Sequence, residues 1–246
     1  MDLLLLSNSQ NFGRDMYAHA AAAFVEVAGD DPVVFVPFAL ADWDDYADRA
    51  IFALGRLGIE VTSAHRSNAP DRAILDAKVV MMGGGNTFRL LDSLYRLQVL
   101  DGLSEHVRSG QTRYLGASAG TNVACPSIRT TNDMPICRPP SFDALGLVPF
   151  QINLHYFDAD PTSTYMGETR EMRIEEFLEE SECPVLALYE GSWLRVRGDQ
   201  AFVTGPSRVF RREGSDAHPE SADLSSLLDA SPVFDAGPRP RRGLAD

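Results

Sequence analysis

A serine stands in a turn of small residues that is typical of hydrolytic nucleophiles. Ser118 is the centre of residues 116–120, Gly-Ala-Ser-Ala-Gly, which directly follow the short run 113–115. A strand that ends at Gly-x-Ser-x-Gly and continues as a helix forms a nucleophile elbow, because the flanking glycines allow a tight turn. The helix N-terminus directs free N–H groups to the same place. The pattern predicts a nucleophile, with a purely structural strand-to-helix turn as the alternative.

A serine nucleophile needs a general base and a carboxylate that orients it. Of the five histidines, His155 is favoured as the base, because it lies in a short apolar segment of the loop-rich region after the elbow. Glu190 is favoured as the acid, because it ends the apolar run 185–189 and faces the same sheet edge as the elbow. Asp158 and Asp160 are rivals that lie close to His155 in the sequence.

A second loop, residues 83–87, has the sequence Gly-Gly-Gly-Asn-Thr and also follows an apolar run. It lacks the lysine of a P-loop and the glycine spacing of a dinucleotide fingerprint, so a phosphate-binding role is disfavoured. The favoured interpretation is an oxyanion hole, in which the N–H groups around Gly85 and Asn86 join that of Ala119. A structural tight turn is the alternative.

Both loops require strands that end at one edge of a sheet. Continuous apolar runs that alternate with helical patterns predict an α/β fold with a mostly parallel sheet and helices on both faces. The predicted strands cover 3–6, 33–38, 59–63, 79–82 and 113–115, and the predicted helices cover 16–27, 43–57, 88–95 and 100–107.

The second half of the chain is less regular. Residues 125–167 are predicted to form long loops, followed by a helix over 168–180 and a strand over 185–189. Three short strands between 193 and 211 predict an antiparallel meander near one edge of the sheet. We expect one domain over residues 1–212 and a polar, flexible tail over 213–246.

Composition limits the classes of partner. The chain has 246 residues with 44% hydrophobic residues, which suits one α/β core. Its formal net charge of −13 disfavours nucleic acid and anionic membranes, and no apolar run is long enough to span a membrane. Three cysteines without regular spacing, and a start unlike a signal peptide, are typical of a cytoplasmic protein. No metal-binding spacing is present, so we expect neither metal nor cofactor.

Several motifs together resemble the peptidase E family, serine peptidases that act as aspartyl dipeptidases and have a fold similar to the class I glutamine amidotransferases. The resemblance covers about residues 1–212. The matching stretches are 3–9, 83–88, 118–120, 128–135, 151–153, 167–171 and 190–193.

The resemblance implies a Ser–His–Glu triad of Ser118, His155 and Glu190. It also implies dipeptide substrates with an N-terminal aspartate, no cofactor, and a possible homodimer. By the same resemblance, Arg170 is the candidate for holding the aspartate side chain, since a guanidinium can bind a carboxylate with two hydrogen bonds. Asp133 is the candidate for shaping the pocket or holding the free α-amino group.

Three other functions stay open from the sequence. A relative with broader specificity could act on an aspartate-rich polymer, like a cyanophycinase. An esterase-like α/β-hydrolase could pair Ser118 with His218 from the polar tail. A binding module on the amidotransferase-like scaffold would leave Ser118 unreactive.

Overall fold

The computed structural model of the protein describes residues 1–164, 166–231 and 234. Its strands are, in chain order, β1 (Asp2–Leu6), β2 (Val33–Val36), β3 (Val61–Ser63), β4 (Val79–Met82), β5 (Arg113–Ala117), β6 (Gln151–Tyr156), β7 (Val185–Tyr189), β8 (Trp193–Arg197), β9 (Gln200–Thr204), β10 (Ser207–Arg211), β11 (Gly214–His218) and β12 (Ala222–Asp223). Its α-helices are α1 (Ala21–Ala28), α2 (Trp43–Gly55), α3 (Pro70–Leu75), α4 (Thr87–Arg96), α5 (Leu100–Arg108), α6 (Ala119–Asn122) and α7 (Arg170–Glu180).

The strands form two sheets. The larger has the order β12-β9-β8-β1-β5-β4-β2-β3, in which the last five strands are parallel and the first three run antiparallel. The smaller has the order β11-β10-β7-β6, in which β6 and β7 are parallel. The mostly parallel sheet is confirmed, and β8 with β9 forms the predicted edge meander. The second sheet, which includes β10, was not predicted.

Helices cover both faces of the larger sheet. In β1 the side chains of Leu3 and Leu5 join one core, with α4 and α5, while Leu4 and Leu6 join the other, with α1 and α2. All four leucines have no exposed surface. Burial on both faces explains why the strand is continuously apolar, and each such side chain stabilises the fold by about 1.5–3 kcal/mol.

Side-chain caps define where three helices begin. The side chain of Asp42 caps α2, that of Asn86 caps α4 and that of Thr169 caps α7, each accepting a hydrogen bond from a first-turn N–H group. Such caps satisfy donors that the helix itself leaves free. Two of these helices, α4 and α7, begin next to residues that were predicted to carry function.

The structure differs from the predicted local structure in three places. The predicted helix at 16–27 is a 3-10 turn, Ala18–Ala20, followed by α1. The predicted loop region 125–167 contains β6. The segment predicted as a tail contains β11 and β12, which pair with neighbouring strands, and its Leu227 is 2% exposed. The rest of the tail, apart from residue 234, lies outside the described residues.

Candidate active site

Ser118 lies between β5 and α6 in a strained backbone conformation. Its φ and ψ angles are 51° and −111°, a region that non-glycine residues rarely adopt. A Cβ on Gly120 would overlap the carbonyl oxygen of Met82, and one on Gly116 would lie 2.8 Å from the carbonyl oxygen of Gly120. The small residues therefore let the chain reverse tightly against β4, as a nucleophile elbow requires.

His155 lies at a bulge in β6. The register of β6 against β7 shifts between Asn153 and Tyr156, which places one extra residue on β6. His155 has a φ of 52°. Bulges of this kind redirect side chains and often occur beside active sites. The His155 imidazole lies with Nε2 3.0 Å from the Oγ of Ser118.

Ser7, at the end of β1, fills the gap that the bulge leaves in the hydrogen-bonding ladder. Its hydroxyl accepts the N–H of His155 at 3.0 Å and donates to the carbonyl of Leu188 at 3.0 Å. Ser7 has no exposed surface, so this pair of bonds satisfies groups that water does not reach. Sequence reasoning missed this positioning residue. A polar residue directly after a buried apolar strand was the available signal.

Glu190 follows β7 and faces the other ring nitrogen of His155. Its Oε1 lies 3.3 Å from Nδ1. The next residue, Gly191, has a φ of 84° and donates its N–H to the side-chain oxygen of Asn8 at 2.8 Å. Asn8 therefore holds the turn that presents Glu190, a second positioning role that the sequence did not indicate.

The two rival carboxylates have other partners. Asp158 accepts a hydrogen bond from Tyr189 at 2.8 Å and forms an ion pair with Arg208. Asp160 accepts two hydrogen bonds from Thr162. The structure therefore brings Ser118, His155 and Glu190 into one hydrogen-bonded chain and leaves the rivals outside it.

Comparisons with known proteins show the family of this chain. The model of peptidase family S51 matches residues 3–204. The chain belongs to peptidase family S51. Members of this family are hydrolases of peptide bonds, and the chain is one of them.

Two curated relatives and one solved structure illustrate the likeness to this S51 peptidase. Peptidase E of Streptomyces coelicolor is 52% identical over 97% of this chain and 100% of its own length. A Drosophila melanogaster protein named "Probable alpha-aspartyl dipeptidase" is 43% identical over 92% and 97%. The crystal structure of a peptidase from an acI-B1 Actinobacterium has the same fold, with a TM-score of 0.66 at 16% identity, and covers 91% of this chain and 96% of that one.

The glycine loop of the S51 peptidase packs directly beside Ser118. A Cβ on Gly84 would lie 3.1 Å from the Cβ of Ser118, and Gly85 has a φ of 135°. The N–H groups of Gly85 and Ala119 have no hydrogen-bond partner among the described residues. They remain candidates for an oxyanion hole.

Asn86 does not fit the role predicted for it. Its N–H donates to the carbonyl of Ala39 at 2.9 Å, so this group is not available to an oxyanion. Its side chain caps α4 through Arg89 and donates to the carbonyl of Met134 at 2.8 Å. The residue shapes the loop rather than offering a free donor, and its helix-capping character explains why it follows the glycines.

A cleft of about 310 Å³ opens at the chain of Ser118, His155 and Glu190. Ser118, His155 and Glu190 line it together with Gly84 and Gly85, and its remaining lining residues come from the loop after β1, from the β2–α2 connection and from α2. This volume is within the range of small-ligand sites.

Arg170 and Asp133 lie close to each other but outside the lining of this cleft. The Arg170 guanidinium stacks 5.5 Å over the ring of Phe157, two residues after His155. Its Nε is buried, with no hydrogen-bond partner in the described part of the chain. Burial and the nearby Arg173 lower the pKa of Arg170, while Asp133 acts in the opposite direction. The guanidinium nevertheless stays charged at neutral pH.

The Asp133 carboxylate anchors its own loop. Its Oδ2 accepts hydrogen bonds from the N–H of Thr87 at 2.8 Å and from the hydroxyls of Thr87 and Thr131. A carboxylate at the start of α4 also complements the helix dipole. These bonds tie residues 131–133 to the glycine loop, so Asp133 has a structural role in addition to the predicted one.

Three further observations bear on what the sequence predicted. His218 ends β11 in the smaller sheet, whereas the histidine at Ser118 is His155, so the esterase-like pairing is wrong. Across 1–164, 166–231 and 234, no cluster of three His, Cys, Asp or Glu side chains is arranged to hold a metal ion. In the same ranges no helix is both long and apolar enough to cross a bilayer.

Proposed function

We propose that this S51 peptidase is a serine dipeptidase that hydrolyses dipeptides with an N-terminal aspartate. The observation that carries the proposal is the hydrogen-bonded chain from Ser118 Oγ through His155 to Glu190, with bonds of 3.0 and 3.3 Å, at the wall of an open cleft. A nucleophile, a base and a group that orients the base are the parts that acyl transfer requires.

The mechanism follows from these positions. His155 Nε2 takes the hydroxyl proton as the Ser118 oxygen attacks the peptide carbonyl carbon, and the Gly85 and Ala119 N–H groups stabilise the oxyanion. Glu190 accepts the Nδ1–H bond and stabilises the imidazolium. His155 then gives its proton to the departing amine. Water, activated by the same imidazole, hydrolyses the acyl-enzyme and restores Ser118.

Arg170 is the proposed partner of the substrate's aspartate side chain. Its buried, unpartnered Nε supports this role, because a ligand carboxylate would satisfy a donor that the described residues leave free. The names of the two curated relatives, peptidase E and "Probable alpha-aspartyl dipeptidase", support the same substrate class. Asp133, near Arg170, is the proposed partner of the free α-amino group, through the carboxylate oxygen that its own loop does not use.

The central test is hydrolysis of dipeptides with Asp, Glu, Asn, Ala or Leu at the amino end. We expect Asp-Leu to be cleaved with the highest kcat/KM. In parallel, a fluorophosphonate probe should label Ser118 in the wild type and nothing in Ser118→Ala. A wild-type protein that neither reacts with the probe nor cleaves any of the five peptides would contradict the proposal. Cleavage of long aspartate-rich chains would favour the cyanophycinase-like alternative.

Arg170→Gln tests the specificity separately. It should lower kcat/KM for Asp-Leu by about 10- to 100-fold and change that for Ala-Leu little, because it removes a charge-assisted pair that only aspartate makes. Arg173→Gln is the matched control on the same helix, since Arg173 is already paired with Glu168. An equal loss of kcat/KM for Asp-Leu and Ala-Leu in Arg170→Gln would contradict the proposal that Arg170 binds the aspartate side chain.

We also propose a cytoplasmic setting, supported by three cysteines that are all unpaired, Cys125, Cys137 and Cys183. A homodimer stays a prediction, and sedimentation of the purified protein would check it.

A further inference from the structure

A second cleft adjoins the catalytic one and shares part of its wall. It has a volume of about 410 Å³ and lies between the start of α1 and the outer face of α2. Gln10, Met16 and Arg49 line both clefts. A molecule bound at Ser118 can therefore extend past Arg49 into the second cleft.

Arg49 presents a free cationic edge at this junction. Its Nε is held 2.9 Å from the carboxylate of Asp45, one helical turn earlier, and its Cζ lies 5.4 Å from the centre of the Tyr46 ring. The two terminal nitrogens have no partner among the described residues. Of the described residues that line the catalytic cleft, Arg49 is the one with a permanent positive charge.

Tyr46 lies between Arg49 and the glycine loop. It is 3% exposed, and its hydroxyl oxygen lies beside the glycine loop. A Cβ on Gly83 would lie 2.6 Å from the same hydroxyl oxygen. Burial raises the pKa of Tyr46 to about 12, so the phenol stays neutral. Arg49 is thus one aromatic ring away from the loop that carries the Gly85 donor.

We propose that Arg49 binds the terminal carboxylate of the departing amino acid and that the second cleft takes its side chain. This inference rests on the proposed dipeptidase function. In a dipeptide the terminal carboxylate lies one residue, or about 3.5 Å, beyond the scissile bond. A side chain as long as that of Arg49 can reach this distance. A planar guanidinium with two free nitrogens suits a carboxylate.

The positions of the other charged residues support a substrate orientation in which the departing amino acid lies toward Arg49 and the aspartyl residue toward Arg170. Arg170 and Asp133, the proposed partners of the aspartyl residue, lie outside the cleft that Arg49 lines. Arg170 is near the end of β6, and Asp133 is bonded to the start of α4. Two anionic groups of one substrate would then meet two separate cations, Arg170 outside this cleft and Arg49 in its wall.

Apolar side chains line the second cleft beyond Arg49. Phe52 is 69% exposed on α2, and Ala53 and Leu57 lie beside it. Exposure of a large aromatic ring leaves apolar surface for a ligand to cover. The cleft therefore favours a leucine-like or aromatic second residue over glycine.

The test compares Asp-Leu with its amide, Asp-Leu-NH2, which differs only in lacking the terminal carboxylate. The wild type should prefer Asp-Leu by about 10- to 100-fold in kcat/KM, mainly through KM, because a charge-assisted bond is lost in the amide. Arg49→Met should abolish this preference, and Arg49→Lys should keep part of it. Arg66→Met is the matched control, since Arg66 is paired with Asp44 and Asp48 and lines neither cleft.

The outcomes separate the two proposals. If the wild type cleaves neither compound, the proposed dipeptidase function fails. If it cleaves Asp-Leu but Arg49→Met keeps the preference for the free acid, or loses activity equally on both compounds, the assignment of Arg49 is overturned and the dipeptidase function stands.

Phe52→Ser examines the side-chain cleft independently. It should lower kcat/KM for Asp-Leu by about 3- to 10-fold relative to Asp-Gly, because less apolar surface is covered. The high exposure of Phe52 keeps this change away from the core. An unchanged ratio of Asp-Leu to Asp-Gly cleavage would contradict the assignment of this cleft.

Discussion

Two chains of serine, histidine and carboxylate can be compared in the part of the molecule that the structure describes, and the first of them lines a cleft. In the first, Ser118 Oγ lies 3.0 Å from His155 Nε2, and Nδ1 lies 3.3 Å from Glu190. In the second, Ser63 Oγ lies 2.8 Å from His65 Nδ1, and Nε2 lies 3.1 Å from Asp44. By distance alone the second is as good a triad as the first.

The difference lies in what surrounds each hydroxyl. Ser63 is 7% exposed at the end of β3, and its hydroxyl donates to the carbonyl of Phe35. The Ser63 hydroxyl proton is therefore already engaged in a hydrogen bond to a backbone carbonyl. Ser118 is partly exposed, lines the 310 Å³ cleft, and lies near the N–H groups of Gly85 and Ala119, which have no hydrogen-bond partner in the part of the chain that the structure describes. A nucleophile needs space for a carbonyl carbon and donors for its oxygen, beyond a nearby imidazole.

The largest expected effect separates the two serines. Ser118→Ala should reduce kcat for Asp-Leu by at least about 10⁴-fold, because no other group can form the acyl-enzyme. Ser63→Ala should leave kcat within about twofold and lower the free energy of unfolding by about 1 kcal/mol, through loss of a buried hydrogen bond. Steady-state kinetics and urea unfolding measure both. Loss of turnover in a folded Ser63→Ala protein would contradict the claim that Ser118, and not Ser63, is the nucleophile.

The two histidines should differ in chemical rescue. His155→Gly removes the base while suiting the positive φ of this position. We expect a loss of about 10³- to 10⁴-fold in kcat, part of which returns when imidazole is added. His65→Gln should keep wild-type kcat and show no response to imidazole. A His155→Gly protein that is folded and fully active without imidazole would disprove the role of the base.

The carboxylates should show a smaller effect. Glu190→Gln should lower kcat by about 10- to 10³-fold, because the orienting charge is lost. We expect less than for a buried triad acid, since the Glu190 side chain is 64% exposed and water screens it. Asp158→Asn, in the loop after β6, is the matched control and should change kcat little. If Asp158→Asn has the larger effect, the acid has been assigned to the wrong residue.

The smallest effect concerns stability and pH. Hydrogen bonds from His65, and then from Arg66, lower the pKa of Asp44 below its usual value. Ionised Asp44 therefore stabilises the fold above its unfolded pKa of about 3.9, and this contribution is lost as the pH falls through the lower folded pKa. Asp44→Asn should lower Tm at pH 7 by about 1–3 °C. The difference in Tm between the wild type and Asp44→Asn should disappear as the pH falls below about 4. A difference that widens in acid would contradict the assignment.

Apolar runs and their spacing predicted the larger sheet well. Residues 79–82 form β4 of this sheet with the predicted bounds, and residues 185–189 do the same for β7 of the smaller sheet. Strands buried on both faces have a clear pattern. The smaller sheet was harder to predict because β6 follows a long irregular stretch. The strand β11 in the C-terminal segment was not predicted. Its sequence is polar, and it is stabilised by pairing with β10 rather than by its own composition.

The triad residues could be proposed from the sequence because each follows or interrupts an apolar run. The supporting residues could not, since their roles depend on contacts between distant segments. Ser7 and His155 are 148 positions apart, and Asn8 and Gly191 are 183 apart. The Asn86 N–H was misassigned because its bond to Ala39 arises only once two loops meet.

The extra residue in β6 has a consequence for how this protein could change over time. Deleting residue 154 would let β6 pair with β7 without interruption, and the repaired ladder would make the smaller sheet more regular. The same deletion would turn the imidazole away from the elbow. Selection for thermal resistance alone would therefore favour a descendant with a regular β6 and without the base in position.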